Sequence, residues 1–239
     1  MKILAATFAY NERPYLPYWK KYYESEGCEL FVIDNESDDK TSEWLAENNV
    51  PHSYLSTNGA FHLHKLQAEL IKKIHEIKPN WVIYTGVDMF AIPQIGIHNA
   101  VQYAENRGYN QIILECHEMV STGEKHDYNM QKTYTRGLKY IDMALISKYD
   151  KTFTIKNDYI GTKTPKPIKL SGIIVNYGYC KTKDEQKQKL IRRQRAWDDG
   201  LPKNLGKHYL KSKERNWVFD KNNTVEYKEL PEWEFIKKI

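Results

Sequence analysis

The chain of 239 residues has little of what marks several common protein classes. It has three cysteines, Cys28, Cys116 and Cys180, far apart in the sequence and without metal-ligand spacing. That argues against a disulfide framework or a structural zinc site and for a reducing compartment. No apolar run is long enough to cross a bilayer. The apolar start, Ile3 to Ala9, is at the short limit for a signal peptide and runs straight into Tyr10-Asn-Glu-Arg-Pro14, so a first strand is the better assignment. There is no Walker loop, no dinucleotide fingerprint and no recognised nucleic-acid motif. These absences leave a cytoplasmic protein as the expectation, with nucleic acid an improbable partner.

What is present is an alternation of buried-strand and amphipathic-helix patterns. The organising stretch is Asn80 to Pro93. Trp81 to Thr85 is aromatic and β-branched, bounded by Pro79 and Gly86, as a buried strand is. Its apolar run gives way to one carboxylate, Asp88. In an open α/β sheet ligands sit beyond the carboxyl ends of strands, which gives Asp88 a place in chemistry. Capping a turn is the plainer role for an Asp after Gly.

Earlier in the chain, strands are expected at Ile3–Ala9, Leu30–Ile33 and Val50–Leu55. A helix capped by Asn11 and stopped by Gly27 buries Leu16, Trp19, Tyr22 and Tyr23. A second spans Thr41 to Asn48, and a third carries the stripe Leu63, Leu66, Leu70, Ile71, Ile74 and Ile77. Later come a helix around Ile97–Ala104, a strand from Gln111 to Glu115, a polar loop with short strands over 120–140 and a strand from Ile168 to Val175. Thr182-Lys-Asp-Glu185 is a capping box for a helix reaching Trp197.

This order predicts an α/β fold, a mainly parallel sheet with helices on both faces. The polar loops Tyr10–Glu12 and Asp34–Asp39 then open on the same sheet edge as Asp88. Residues 1–180 form the binding domain, and 181–239 supply a basic helix and an extension packed on it. From Lys181 to Arg215 twelve basic residues face five acidic ones, in a chain whose net charge is +5. Such a helix serves a phosphorylated ligand, an anionic membrane surface or simply solvent.

Asn11-Glu12 after the first strand, Asp34-Asn-Glu-Ser-Asp38 after the second, Trp81-Val-Ile-Tyr ahead of Asp88, and Asn176-Tyr-Gly-Tyr with the helix ending in Trp197-Asp-Asp-Gly200 resemble family 2 glycosyltransferases with the GT-A fold. The resemblance covers roughly residues 1–200. It implies sugar transfer, with inversion, from a nucleotide-sugar donor to a glycan or lipid-linked acceptor, with peripheral contact to an anionic membrane. It also implies that Thr7, Tyr10, Glu12 and Asp34 bind the nucleotide, Asp34 through base or ribose. Asp88 and Asn176 stand where family members ligate Mn²⁺ or Mg²⁺. The acidic motif here has one carboxylate, and Asn replaces His. Lys187, Arg192 and Arg193 are the expected diphosphate ligands. The attacking hydroxyl needs a base, for which Glu118, Glu115 and Asp127 are the candidates, Glu118 first. The alternatives are a nucleotidyltransferase on the same sheet edge and a non-catalytic binder of sugar nucleotides or nucleic acid.

Overall fold

A computed structural model describes residues 1–120, 134–136, 141–156, 159–179, 183–198 and 224–226. The sheet starts from β1 (Ile3–Ala9), which lies between β2 (Glu29–Asp34) and β4 (Trp81–Tyr84), parallel to both. β3 (His52–Tyr54) continues the parallel set beyond β2. The period-2 side chains of β1 feed two cores: Ile3, Ala5 and Ala9 on one face, Leu4 and Ala6 on the other. On the first face lie α1 (Leu16–Ser25), α2 (Thr41–Glu47) and α4 (Ile97–Asn106), through Trp19, Leu45 and Val101 among others. On the second lies α3 (Leu63–Ile77), through Leu66, Leu70 and Ile74. Helices therefore cover both faces, as the stripe patterns predict.

The far half of the sheet departs from the expectation. β8 (Ile141–Lys148) pairs antiparallel with both β4 and β6 (Gln111–Val120), so it enters the sheet between two strands of the opposite direction. β11 (Pro167–Tyr179) runs parallel to β6, and β5 (Met89–Pro93) runs antiparallel to β11. Neither β5 nor β8 is expected from the sequence, and both β6 and β11 extend beyond their expected ends. Short strands β7 (Tyr134–Arg136) and β12 (Thr224–Glu226) pair at the end of β6, while β9 (Thr154–Lys156) and β10 (Tyr159–Gly161) make a separate hairpin. Among the described residues the last helix is α5 (Lys183–Asp198).

Asn11 does not cap α1. It takes a left-handed conformation (φ 52°), and α1 begins later, at Leu16, with Pro in its first turn. Gly172 lies where β11 passes β5 at φ 135°; a Cβ there would stand 2.5 Å from the Ile92 carbonyl oxygen. Only glycine fits that close backbone approach.

Candidate functional site

The carboxyl ends of β1, β2 and β4 open into one cleft, with a free volume of about 130 Å³. Phe8 and Ala9 line it at the end of β1, Tyr10 and Glu12 beyond that end, Asn35 after β2, and Gly86, Val87 and Asp88 after β4. Phe61 joins from the turn before α3, and Lys189, Arg192 and Arg193 come from α5. The polar loops thus share one edge with Asp88.

The two polar loops brace each other. The Asn11 amide donates to Asp38 Oδ1 at 2.7 Å, and the Asp38 backbone N–H donates to Asn11 Oδ1 at 2.9 Å. The Arg13 N–H donates to Asp39 Oδ2 at 3.0 Å. Asp34 is buried, and its carboxylate accepts from the Ser37 N–H and the Ser42 hydroxyl. Much of the acidic segment therefore shapes its own loop. The Asp34 side chain does not line the cleft, and its neighbour Asn35 does. Thr7 is also buried away from the cleft, its hydroxyl on the Phe8 carbonyl, whereas Tyr10 and Glu12 line it.

α5 is fastened to this edge by Arg192, which is only 4% exposed. Its Nη2 donates to the Asn35 carbonyl oxygen and, at 2.8 Å, to Asn35 Oδ1. Its Nε meets the Gly59 carbonyl oxygen at 3.4 Å, and its guanidinium lies 3.5 Å over the Tyr10 ring. Asn35 in turn donates to the Leu55 carbonyl oxygen and to Thr57 Oγ1. Glu36 receives Arg192 Nη2 at 3.4 Å. Burial pushes the Glu36 carboxyl up. Hydrogen bonds from the Ser56 and Thr57 hydroxyls and from the Gly59 and Thr57 backbone outweigh it and hold the group at about 2. Arg192 is displaced down from the usual guanidinium range, chiefly by burial, against the opposing pull of Tyr10 and Glu36.

The basic residues expected to meet the diphosphate separate on α5. Arg193 lines the cleft, 4.9 Å over the Phe61 ring. Arg192 lines it too, with much of its fork engaged by the protein. Lys187 is exposed and outside it, and Lys189 takes that place. Residues 187 and 189 lie about 200° apart around a helix, whereas 189, 192 and 193 share a face. That spacing is legible in the sequence and distinguishes Lys189 from Lys187.

Asp88 and Asn176 are brought together. β11 and β5 pair Asn176 with Met89, and the Tyr177 N–H donates to the Asp88 carbonyl oxygen at 2.8 Å. A methyl group on Gly178 would stand 3.0 Å from Asn176 Oδ1 and 3.6 Å from Asp88 Oδ2. The Asn176 oxygen accepts the Gly178 N–H at 2.9 Å. Lys189 Nζ lies 3.5 Å from Asp88 Oδ2 and 3.6 Å from Glu12 Oε1. Among the described residues no group of three His, Cys, Asp or Glu side chains could hold a metal ion. This donor set, with an ammonium against its carboxylates, does not fit a divalent cation.

Of the candidate bases, Glu118 lies in backbone register with Asn176 across β6 and β11. Glu115 is earlier on β6, with its carboxylate 3.3 Å from His117 Nε2 and 3.9 Å from Lys169 Nζ, and it does not line the cleft. Asp127 lies outside the described residues, as do Asp199 and Gly200 of the closing motif. Among the described residues no helix is long and apolar enough to cross a membrane.

No family profile and no curated protein matches the chain. Solved structures give distant likenesses. S. aureus TarS 1–349 in complex with UDP is 13% identical, with a TM-score of 0.38 over 52% of this chain and 38% of that one. The same protein with UDP-GlcNAc is 15% identical at a TM-score of 0.39, over 52% and 36%. HddC from Yersinia pseudotuberculosis, complexed with GMP-PN, is 8% identical at a TM-score of 0.41, over 80% of this chain and 99% of that one. The chain thus spans well under half the length of the TarS structures. Likenesses of this size assign no activity.

Proposed function

We propose that the protein is a GT-A-like transferase that moves a sugar from a nucleotide-sugar donor to an acceptor hydroxyl. The observation that carries this reading is the convergence, on one cleft, of the loops after three parallel strands with the cationic face of α5. A nucleotide sugar needs such a combination: polar loops for the nucleoside, positive charge for the diphosphate, and a carboxylate near the sugar.

In this reading the donor's nucleoside lies against Tyr10 and Asn35, and its diphosphate meets the cationic face of α5. The bond from the sugar's anomeric carbon to the β-phosphate oxygen breaks, and its electron pair stays on that oxygen. The acceptor oxygen bonds to the carbon from the opposite side, giving inversion, and its proton passes to a carboxylate. Glu118 is the proposed base, on its register beside Asn176. Mn²⁺ or Mg²⁺, which the family resemblance implies, is left out of this sequence because the donor set does not fit it. A glycan or lipid-linked acceptor remains the proposed partner class.

A thermal-shift screen of nucleotide sugars tests the reading. A ligand that binds only the native state raises the melting temperature as its concentration exceeds Kd. A shift with one or more nucleotide sugars, larger than with the matching nucleoside monophosphate, is the expected outcome. No shift across uridine, guanosine, cytidine, adenosine and thymidine donors, with or without Mn²⁺, would refute it.

A further inference from the structure

The motif that carries one carboxylate is matched by a cation from the chain itself. Lys189 Nζ stands within 3.6 Å of Glu12 Oε1 and within 3.5 Å of Asp88 Oδ2. Both carboxylates are buried, 7% and 8% exposed by residue, and come from loops after different strands. Lys189 comes from a third element, lines the cleft, and has a side chain that is 32% exposed. The helix that presents it is fixed by the buried Arg192, one turn further on.

Two buried acids on separate loops facing one half-buried lysine do little for stability, because taking the charges out of water offsets their attraction. They do aim and hold a positive charge. A divalent cation placed between Glu12, Asp88 and Asn176 would lie against that like charge, and the repulsion is strongest where water is excluded. A diphosphate placed there would meet a charge already in position. Arg192 is poorly suited to the same work, because its fork is engaged by Asn35 and Gly59.

We propose that Lys189 takes the part of the divalent cation: held by Glu12 and Asp88, its ammonium binds the donor's diphosphate and stabilises the charge left on it. The inference rests on the transferase reading above. Lys189 exchanges no proton in the step. The electron pair of the breaking carbon–oxygen bond goes to the phosphate oxygen, and the ammonium faces the charge that develops there. Arg193, four residues on along the same face, supplies a second positive charge to the cleft.

The test uses the full chain and nucleoside diphosphates as probes, UDP, GDP, ADP, CDP and dTDP, titrated by calorimetry in EDTA and in Mn²⁺. The wild type is expected to bind its nucleotide equally well in both. Lys189→Met should lose roughly 10- to 100-fold in affinity in EDTA, the range for a hydrogen bond to a charged group. Lys189→Arg should keep most of the affinity and remain indifferent to chelator. Melting temperatures report whether each variant folds. If Lys189→Met does not fold, the wild type and Lys189→Arg in EDTA still decide. Wild-type binding that requires Mn²⁺ overturns the role of Lys189 and leaves the transferase reading standing. So does a folded Lys189→Met that binds as the wild type in EDTA. Absence of binding by every nucleotide in both buffers refutes the transferase reading, and this inference with it.

Discussion

Arg192 on α5 and Asn35 at the end of β2 form a buried pair, Nη2 to Oδ1 2.8 Å, between residues 157 apart in sequence. The pair joins the helix carrying the cleft's positive charge to the loops carrying its carboxylates. The Phe61 N–H, donating to the Arg192 carbonyl oxygen at 3.0 Å, adds a backbone tie at the same place. The position of Lys189 depends on this joint.

Removing the Arg192 side chain should undock α5. Arg192→Ala leaves the Asn35 oxygen without its charged donor and removes the Glu36 contact, a loss of about 1–3 kcal/mol. Arg192→Lys restores the charge without the fork and should recover only part. Denaturant unfolding measures both. Loss of nucleotide affinity in Arg192→Ala should accompany the loss of stability, unlike the effect of Lys189→Met. A melting temperature unchanged in Arg192→Ala would show that the helix is held elsewhere.

Glu36 gives the joint an acid dependence. Its carboxyl sits at about 2 in the folded chain, below the ordinary value of about 4.3. A depressed carboxyl contributes stability that is full above its unfolded value and lost as pH falls through the folded one. The wild type should therefore lose this contribution between about pH 4.3 and pH 2. Glu36→Gln, which cannot titrate, should be less stable at neutral pH and close the gap to the wild type across that window. Melting temperatures of both proteins measured from pH 2 to 6 give the comparison.

Gly172 predicts a backbone effect. Alanine at this position would place its Cβ 2.5 Å from the Ile92 carbonyl oxygen and 2.7 Å from Pro93 Cα, at a φ that disfavours any side chain. Gly172→Ala should cost more than about 1 kcal/mol. Because β5 follows Asp88 directly, it should also weaken nucleotide binding. A variant as stable as the wild type would mean that β11 and β5 can separate there without cost.

Tyr23 ties α1 to the same strand. Its hydroxyl accepts the Ala91 N–H at 3.0 Å and donates toward the Met89 carbonyl oxygen at 3.3 Å. Burial, opposed by hydrogen bonds to Thr85 and Ala91, raises its ionisation well above the ordinary phenol value. Tyr23→Phe leaves a buried N–H unsatisfied, at about 1–3 kcal/mol. Unfolding in urea reads that loss. No pH dependence below 10 is expected from this group.

Glu118→Gln separates binding from chemistry. If Glu118 is the base, nucleotide affinity should stay near the wild-type value while turnover falls by roughly 10²- to 10⁴-fold. Turnover that survives in Glu118→Gln would move the assignment to another carboxylate.

The sequence carried the near half of the fold with little ambiguity. Strands β1, β2 and β4 are short apolar runs with clear breakers, and α3 has an uninterrupted stripe. The far half was less legible. Met89–Pro93 follows Asp88 without a turn cluster and contains a proline, so its pairing with β11 arises from tertiary packing that no local pattern announces. β8 lies next to a polar stretch that hides its start. In the cleft, Tyr10, Glu12, Asp88 and Arg193 were expected from strand-end position or charge and line it. Asp34 is the residue that the family resemblance implies for base or ribose, and it does not line the cleft. The bonds that engage it come from Ser37 in its own loop and from Ser42 in the first turn of α2. Lys187 and Lys189 carry the same charge, and only their helical phase separates the one outside the cleft from the one that lines it.

The most direct test of sugar transfer in this cleft is phosphorus NMR of a turnover mixture with the nucleotide sugar that raises the melting temperature most. The account predicts that resonances of the nucleotide sugar give way to those of free nucleoside diphosphate, one for one. They should do so in EDTA, and the conversion should fail with Lys189→Met. Conversion of the nucleotide sugar, once pyrophosphate is added, into nucleoside triphosphate and sugar 1-phosphate would contradict the account and mark a nucleotidyltransferase.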